Sequence, residues 1–385
     1  MPLVTGAEGD VTKVFMTDIW LIDRYVGSTE WNWGRNYQGG LGNNSATAAF
    51  SSPVQTVSGG TDWKSIESGM YHTIGIKTDA SLWVWGYNNF GQLGTQNVVN
   101  YSSPVTTNPS GTVYYQASAG FYHSAVIKTD GTLWMWGYNA DGALGVNDST
   151  NRSSMIQTIS AGNSWKDVHC GLYHTIATKL DGSLWTWGLN TSGQLGDNSL
   201  IKKSSPVQTI STGLTWVNSG SGAFHTVALK NDGSLWGWGD NTYGQVGDNS
   251  ITLRSSPVQT VSAGTLWKQV NCGYHHTAAI KLDGSLWLWG RNQHGQLGDN
   301  SSADKSSPVQ TVSAGTNWKS VYCGANHTIG IKTDGSLWLW GLNDFGQLGD
   351  NSVTKKSSPI QTVAGGTTWK QASGGFTKTH AVKNG

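Results

Sequence analysis

The chain has 385 residues, a formal net charge of +1, only 12% charged residues, and 52 Gly and 21 Trp. Aromatic content this high excludes disorder, and the near-neutral balance excludes phosphate-driven nucleic-acid binding, which needs clustered Lys and Arg. No apolar run approaches the roughly 18 residues of a membrane span, so no membrane insertion is expected.

Residues 1–26 carry Glu8 and Asp10 and lack a basic region followed by an apolar one, so no signal peptide is evident. They form an N-terminal extension, expected to tether the domain to a neighbour. From residue 27 onward the chain repeats. Trp-Gly pairs stand at Trp33, Trp85, Trp136, Trp187, Trp238, Trp289 and Trp340, the first interval being 52 residues and the others 51. Periods of this size signal an array of small units and leave no room for an inserted subdomain.

Each unit reads as four short strands: "WKSVYCG", "HTIGIK", "SLWLWG" and "SPVQTV". All are β-branched or aromatic-rich and bounded by Gly, Asn, Asp or Ser. Asp-Gly joins the second and third strands at Asp130-Gly131, Asp181-Gly182, Asp232-Gly233, Asp283-Gly284 and Asp334-Gly335. This dipeptide predicts a tight hairpin in which both turn positions tolerate positive φ. The copy with Asp79-Ala80 should be strained or altered there. No segment has a helical period.

Four antiparallel strands per repeat predict an all-β fold, a seven-bladed β-propeller over residues 27–385. The chain stops at "THAVKNG", after a second strand, and "STEWNWG" opens on a third. Two strands from each terminus therefore complete one shared blade and close the ring, removing any long sheet edge. In the third strand two Trp lie two residues apart on one face. A further Trp starts the first strand, at Trp63, Trp165, Trp216, Trp267, Trp318 and Trp369, with Tyr114 in the remaining copy. These predict packing within and between blades rather than light sensing or base stacking.

The motifs "G-x-x-H-T", "DGSLWxWG" and "N-x-x-GQLG" resemble the regulator of chromosome condensation repeat family over residues 27–385, and the repeat wording is most like copies encoded by bacterial or marine viruses. The resemblance implies a seven-bladed propeller closed by both ends. The family includes a nucleotide-exchange factor, an ultraviolet-B photoreceptor and β-lactamase inhibitors, so the fold does not select a function. The exchange factor's wedge hairpin has no counterpart in this even spacing, and its basic tail none in residues 1–26, which hold Lys13 and Arg24. The photoreceptor's Trp and Arg before the repeat His are replaced here by pairs such as Met70-Tyr71, Phe121-Tyr122 and Tyr274-His275.

The candidate chemistry is sparse. His72, His123, His174, His225, His276 and His327 recur at one position, with Lys378 in the seventh place. Equivalent atoms on different blades stand too far apart for one ion at about 2 Å, so hydrogen bonds fixing the first loop are expected, not a metal. Cys170, Cys272 and Cys323 share a slot filled elsewhere by Ser68, Ala119, Ser221 and Gly374, which asks for a small residue. "GQLGDNS" suits a turn better than Ca²⁺. Arg152, Lys203, Arg254, Lys305 and Lys356 form a basic rim, explained by edge protection at least as well as by an acidic partner. No catalytic residue, cofactor or metal is expected.

The loops after the first and third strands should share one face, and side chains vary there. Candidate binding residues on it are Tyr71, Tyr122, Tyr173 and Phe224 before the repeat His. Arg35, Tyr87, Tyr138, Asp240 and Arg291 follow Trp-Gly, and Phe90, Tyr243, His294 and Phe345 stand further along. Rigid loops carrying aromatics and Arg are what binding hot spots are made of. The sequence therefore reads as a non-enzymatic binding propeller. On this reading it is carried on a virus particle or tail, or is extracellular. It recognises a protein or cell-surface glycan, with residues 1–26 on other virion proteins. The alternative is a soluble intracellular, cytoplasmic regulator or inhibitor gripping one partner protein. A glycan-active enzyme is a third reading, opposed by the lack of recurring paired carboxylates.

Overall fold

The computed structural model describes residues 27–57, 60–107, 112–159, 162–210, 215–261, 266–312 and 315–384. The expected tether over residues 1–26, and parts of the links between blades, lie outside them.

In chain order, β1 (Ser28–Arg35) and β2 (Ala49–Gln55) come first, separated by a single 3-10 turn at Tyr37–Gly39. The first complete blade is β3 (Trp63–Ser68), β4 (His72–Lys77), β5 (Leu82–Gly86) and β6 (Tyr101–Thr106). The second is β7 (Tyr114–Ala119), β8 (His123–Lys128), β9 (Leu133–Gly137) and β10 (Arg152–Gln157). The third is β11 (Trp165–Cys170), β12 (His174–Lys179), β13 (Leu184–Gly188) and β14 (Lys203–Gln208). The fourth is β15 (Trp216–Ser221), β16 (His225–Lys230), β17 (Leu235–Gly239) and β18 (Arg254–Gln259). The fifth is β19 (Trp267–Cys272), β20 (His276–Lys281), β21 (Leu286–Gly290) and β22 (Lys305–Gln310). The sixth is β23 (Trp318–Cys323), β24 (His327–Lys332), β25 (Leu337–Gly341) and β26 (Lys356–Gln361). Then β27 (Trp369–Gly374) and β28 (Lys378–Asn384) join the first two strands in the order β2-β1-β28-β27. The fold is thus a seven-bladed β-propeller of four-stranded antiparallel sheets, closed by strands from both termini.

The hairpins between second and third strands differ in detail from the expected tight turn. Gly131 N donates to Lys128 O and only Gly131, at φ +79, is left-handed; Asp130 is not. The Asp carboxylate instead accepts the amide two residues on, Thr132 N at 2.9 Å. This is a type I turn followed by a left-handed glycine. Ala80 adopts φ +62 in the copy without that glycine, which is the expected strain.

Tryptophan holds the blades together in two ways. The Trp of Trp-Gly is fully buried in every blade and in six of them meets the first-strand Trp, as at Trp165–Trp187, 6.0 Å between centroids. Its Nε1 donates to a backbone carbonyl of the preceding blade, as Trp289 does to Gln245 O at 2.9 Å. A hydroxyl on the second strand shares that acceptor: Thr277 Oγ1 reaches Gln245 O at 2.8 Å. The outer Trp of the third strand is half-buried beneath the Lys ending the second, as with Lys281 Nζ 4.4 Å from the Trp287 ring. Such cation–π contacts are each worth roughly 0.5–1 kcal/mol when partly exposed.

The histidine ring does more than the expected loop fixing. Backbone closes that loop, Gly273 N donating to His276 O. The imidazole reaches across to the next blade: His276 Nε2 lies 3.0 Å from Thr328 Oγ1, and His72, His123, His174, His225 and His327 repeat the contact at 2.9–3.4 Å. The hydroxyl proton goes to a carbonyl, so Nε2–H must be the donor. Nδ1 is then an unprotonated acceptor, buried with no donor among the described residues. Burial pushes His123 down to about 4 and His174, His225, His276 and His327 down to about 3.

Each first strand is an inner sheet edge with unpaired amides. Side chains of the preceding blade supply partners: Gln269 accepts from Val321 N at 3.1 Å and donates to Val321 O at 3.0 Å. The basic rim is likewise matched internally. Lys203, Arg254, Lys305 and Lys356 open the fourth strands and pair with Asp197, Asp248, Asp299 and Asp350 of their own blades.

The closing blade departs from this pattern in its core. Glu30 occupies the position of Leu286, Asn32 that of Leu288, His380 that of Ala278, and Lys378 that of His276. All four are buried. His380 Nδ1 and Glu30 Oε1 lie 2.5 Å apart. Lys378 Nζ donates to Gly40 O, His72 O and Thr73 Oγ1 at 3.2, 2.9 and 2.6 Å. Burial raises the Glu30 carboxyl well above its usual range and pushes the Lys378 ammonium down to about 7.

Candidate binding face

Two loops of every blade are tied to one another. The residue after Trp-Gly donates its amide to the carbonyl of the residue before the repeat His: Tyr87 N to Tyr71 O, Tyr138 N to Tyr122 O, Asp240 N to Phe224 O. The loops after the first and third strands therefore share one face. A buried Asn fixes the second loop from inside, Asn88 Oδ1 accepting Leu93 N at 2.8 Å while its Nδ2 donates to Asn97 O. Gly91 and Gly94 take positive φ there. The flanking side chains project from a stiff frame.

On that face the aromatics form one connected layer. Tyr37–Tyr71 (4.8 Å), Tyr71–Tyr87 (6.1 Å), Tyr87–Phe90 (6.2 Å), Phe90–Tyr122 (4.9 Å), Phe90–Tyr138 (5.4 Å) and Tyr138–Tyr173 (5.3 Å) follow one another across four blades. Burial together with neighbouring phenols raises Tyr122 to about 12. Each of these rings still keeps part of its surface in solvent.

Sequence reasoning missed the centre of this layer. Phe121, Tyr274 and Phe376 come from the second, fifth and closing blades and meet at 6.3–6.4 Å, which places them across the ring axis. They follow the repeat's "CG" position, a visible signal had the varying residues been searched from both ends of that loop. Tyr274 continues to His275 and Tyr243, where Arg291 lies 4.7 Å from the Tyr243 ring and Asp240 3.7 Å from His275. Arg35 lies over Tyr37 and Phe345 at 5.3 and 4.8 Å. Phe224 and His294 stand apart: no aromatic ring among the described residues packs on either.

Beneath this cap lies a cavity of about 280 Å³ walled by the first strands of all seven blades. Glu67 in its wall accepts from Gln371 Nε2 at 3.1 Å, and burial raises it to about 7. Asp167 pairs with His169 at 3.0 Å. The free thiols of Cys170 and Cys272 are buried and pushed up to about 12, which removes the thiolate needed for reactivity. Among the described residues lining this cavity, no nucleophile stands beside a base with an orienting third group, as covalent catalysis needs.

Residues 167–385 match the RCC1-like domain, and residues 79–127 and 130–178 match the regulator of chromosome condensation (RCC1) repeat. The chain belongs to the RCC1-like domain family. It is 32% identical over 287 residues to the ultraviolet-B receptor UVR8 of Arabidopsis thaliana, covering 73% of this chain and 65% of that one. It is 26% identical over 358 residues to the human E3 ubiquitin-protein ligase HERC2, covering 90% of this chain and 7% of that one. The chain thus spans under two thirds of each. Among solved structures, human WBSCR16 superposes at a TM-score of 0.84 with 20% identity, covering 93% of this chain and 99% of that one. Prp20p of Saccharomyces cerevisiae, described with its binding to Gsp1p and histones, gives 0.84 with 19% identity, covering 93% and 92%. These two likenesses establish the RCC1-like fold. No helix among the described residues is long and apolar enough to cross a membrane.

Proposed function

We propose that this RCC1-like propeller is a non-enzymatic regulator or inhibitor, soluble inside the cell, that grips one partner protein through its aromatic loop face. The connected layer from Tyr37 to Tyr173 carries the reading. Rigidly held aromatic rings with partial exposure contribute contact area at little entropic cost, and residues of this kind dominate interface energies. The names of the relatives, a receptor, a ligase and a protein known for binding Gsp1p and histones, support protein recognition. The particle-borne adhesion reading, with its glycan ligand, has no counterpart among those relatives.

A photo-crosslinking residue at position 87 should capture the partner, whereas one at position 283, in the opposite turns, should not. Tyr87→Ala, Phe90→Ala and Tyr243→Ala should each weaken the captured complex by about tenfold or more, as hot-spot truncations do, while the urea midpoint changes little. Capture from position 283 instead of 87 would reject the face.

A further inference from the structure

We infer that the partner presents an acidic segment, its carboxylates received by Arg35, Arg291 and Lys355 along one arc of the loop face. The inference rests on the proposed reading that this face binds a protein.

It starts from where the basic groups are spent. The rim residues Lys203, Arg254, Lys305 and Lys356 each have an Asp in their own blade. Arg35 has none. Its guanidinium lies over the Tyr37 and Phe345 rings, and its side-chain N–H groups have no acceptor among the described residues. Ring faces cover a guanidinium's plane but leave its edge, where five donors point outward in a fork that matches a carboxylate. Arg291 is held in a similar way over Tyr243, with one bond to Gln293 Oε1 at 2.7 Å.

Lys355 supplies an internal control. Its equivalent three blades away, Lys202, reaches back to the preceding blade, to Ala140 O at 3.1 Å and Asp141 Oδ1 at 3.5 Å. At Lys355 the facing loop carries Gln293 and His294 where the other has Ala140 and Asp141, and the exposed ammonium has no ion-pair partner among the described residues. His294 is held below its usual range first by burial, then by Lys355 and Arg291. Asp344, also exposed, is the carboxylate that acts against them. Along the arc these three formal positive charges face Asp344, while Asp240 is turned to His275 and Asp304 accepts the Asn292 amide. Beside Arg35 it runs into the aromatic layer at Tyr37, so the matching segment mixes carboxylates with apolar side chains. A net charge of +1 gives nucleic acid no comparable reason to bind.

Three dye-labelled probes test this by fluorescence anisotropy: a blocked Glu-Leu-Glu-Leu-Glu peptide, its Gln-Leu-Gln-Leu-Gln counterpart, and a ten-nucleotide oligothymidylate. The acidic peptide should bind about tenfold more tightly than the neutral one, Arg35→Gln and Arg291→Gln should each remove most of that margin, and Lys355→Gln less. Raising the salt to about 1 M should erase it. Unchanged urea midpoints show that the variants fold. Equal binding of the neutral peptide, tighter binding of the oligonucleotide, or no peptide binding would each overturn the inference. So would self-association on sedimentation that Arg35→Gln abolishes, which would assign the arc to a second copy. In all these cases capture at position 87 would leave the binding face itself standing.

Discussion

The fifth blade and the closing blade use the same four-strand frame, yet their cores differ in kind. Between β20 and β21 the fifth blade buries Ala278, Leu286 and Leu288, and a two-residue-centred turn sets the register. Between β28 and β1 no turn exists, because the strands belong to opposite ends of the chain. There Glu30, Asn32, Lys378 and His380 are buried instead, and the ladder lengthens from five residue pairs to seven, from Ser28–Asn384 to Gly34–Lys378. A slip of one residue in an apolar seam exchanges the two faces of the strand. With hydrogen-bonding groups inside, the same slip strands Glu30 away from His380 and Lys378 away from three acceptors. A buried polar cluster of this sort trades stability for register.

The largest way to expose the difference is acid. In the ordinary interfaces six imidazoles are held neutral, with folded pKa values below the usual 6.5. Their unfolded counterparts bind protons first, so the stability they contribute is complete above pH 6.5 and is lost as pH falls toward the folded values. Each should cost about 1.4 kcal/mol per pH unit below 6.5. Glu30 at the seam acts oppositely: its raised pKa makes its contribution complete below 4.5 and lost as pH rises through the folded value. Urea midpoints measured from pH 7 to 4 should fall steeply, and His276→Gln should make the fall shallower by about one proton. A flat profile between pH 7 and 5 would mean the imidazoles are not held neutral.

The seam itself comes next. Glu30→Ala should destabilise by about 1–3 kcal/mol, because it leaves His380 Nδ1 buried without its hydrogen-bond partner and removes the carboxyl that favours the Lys378 ammonium. Converting all four positions to the ordinary pattern, with Glu30→Leu, Asn32→Leu, Lys378→His and His380→Ile together, should instead stabilise the ring by about 1–4 kcal/mol. Its refolding should then yield a second, misregistered species on native gels. A converted seam that is less stable than the natural one would show that the polar cluster is a stabilising device and not a register device.

Repetition made the fold legible: any position could be compared across seven copies, and small irregularities of one copy did not disturb the period. The same averaging hid the seam. Lys378 was visible as the odd member of the histidine series, but Glu30 sits in "STEWNWG" exactly where "GSLWLWG" has Leu, and only alignment of the incomplete first copy reveals it. The shared loop face followed from strand direction alone. Its layer of touching rings did not, because Phe121, Tyr274 and Phe376 meet across the axis from blades that are neighbours neither in sequence nor in the ring. The reach of each histidine to the next blade's hydroxyl was also out of sight, since sequence periodicity reports what recurs and not which blade it touches.

The smallest effect tests the turns that the seam lacks. Five hairpins place glycine at φ +78 to +80, and the first complete blade places Ala80 there at φ +62. The turn bonds are nonetheless kept: Ala80 N reaches Lys77 O at 2.9 Å, and Asp79 Oδ1 accepts Ser81 N at 2.8 Å. The left-handed region costs an L-residue roughly 1–2 kcal/mol, part of which glycine returns as chain entropy on unfolding. Ala80→Gly should therefore stabilise the protein by about 1 kcal/mol, raising the urea midpoint with no change in slope. Gly284→Ala in the fifth blade should lose more than that. A methyl group at position 80 fits, whereas one at position 284 would run into the Thr316 carbonyl oxygen, so backbone strain and a steric clash add there. Equal and opposite shifts in the two variants would mean that φ alone governs these turns.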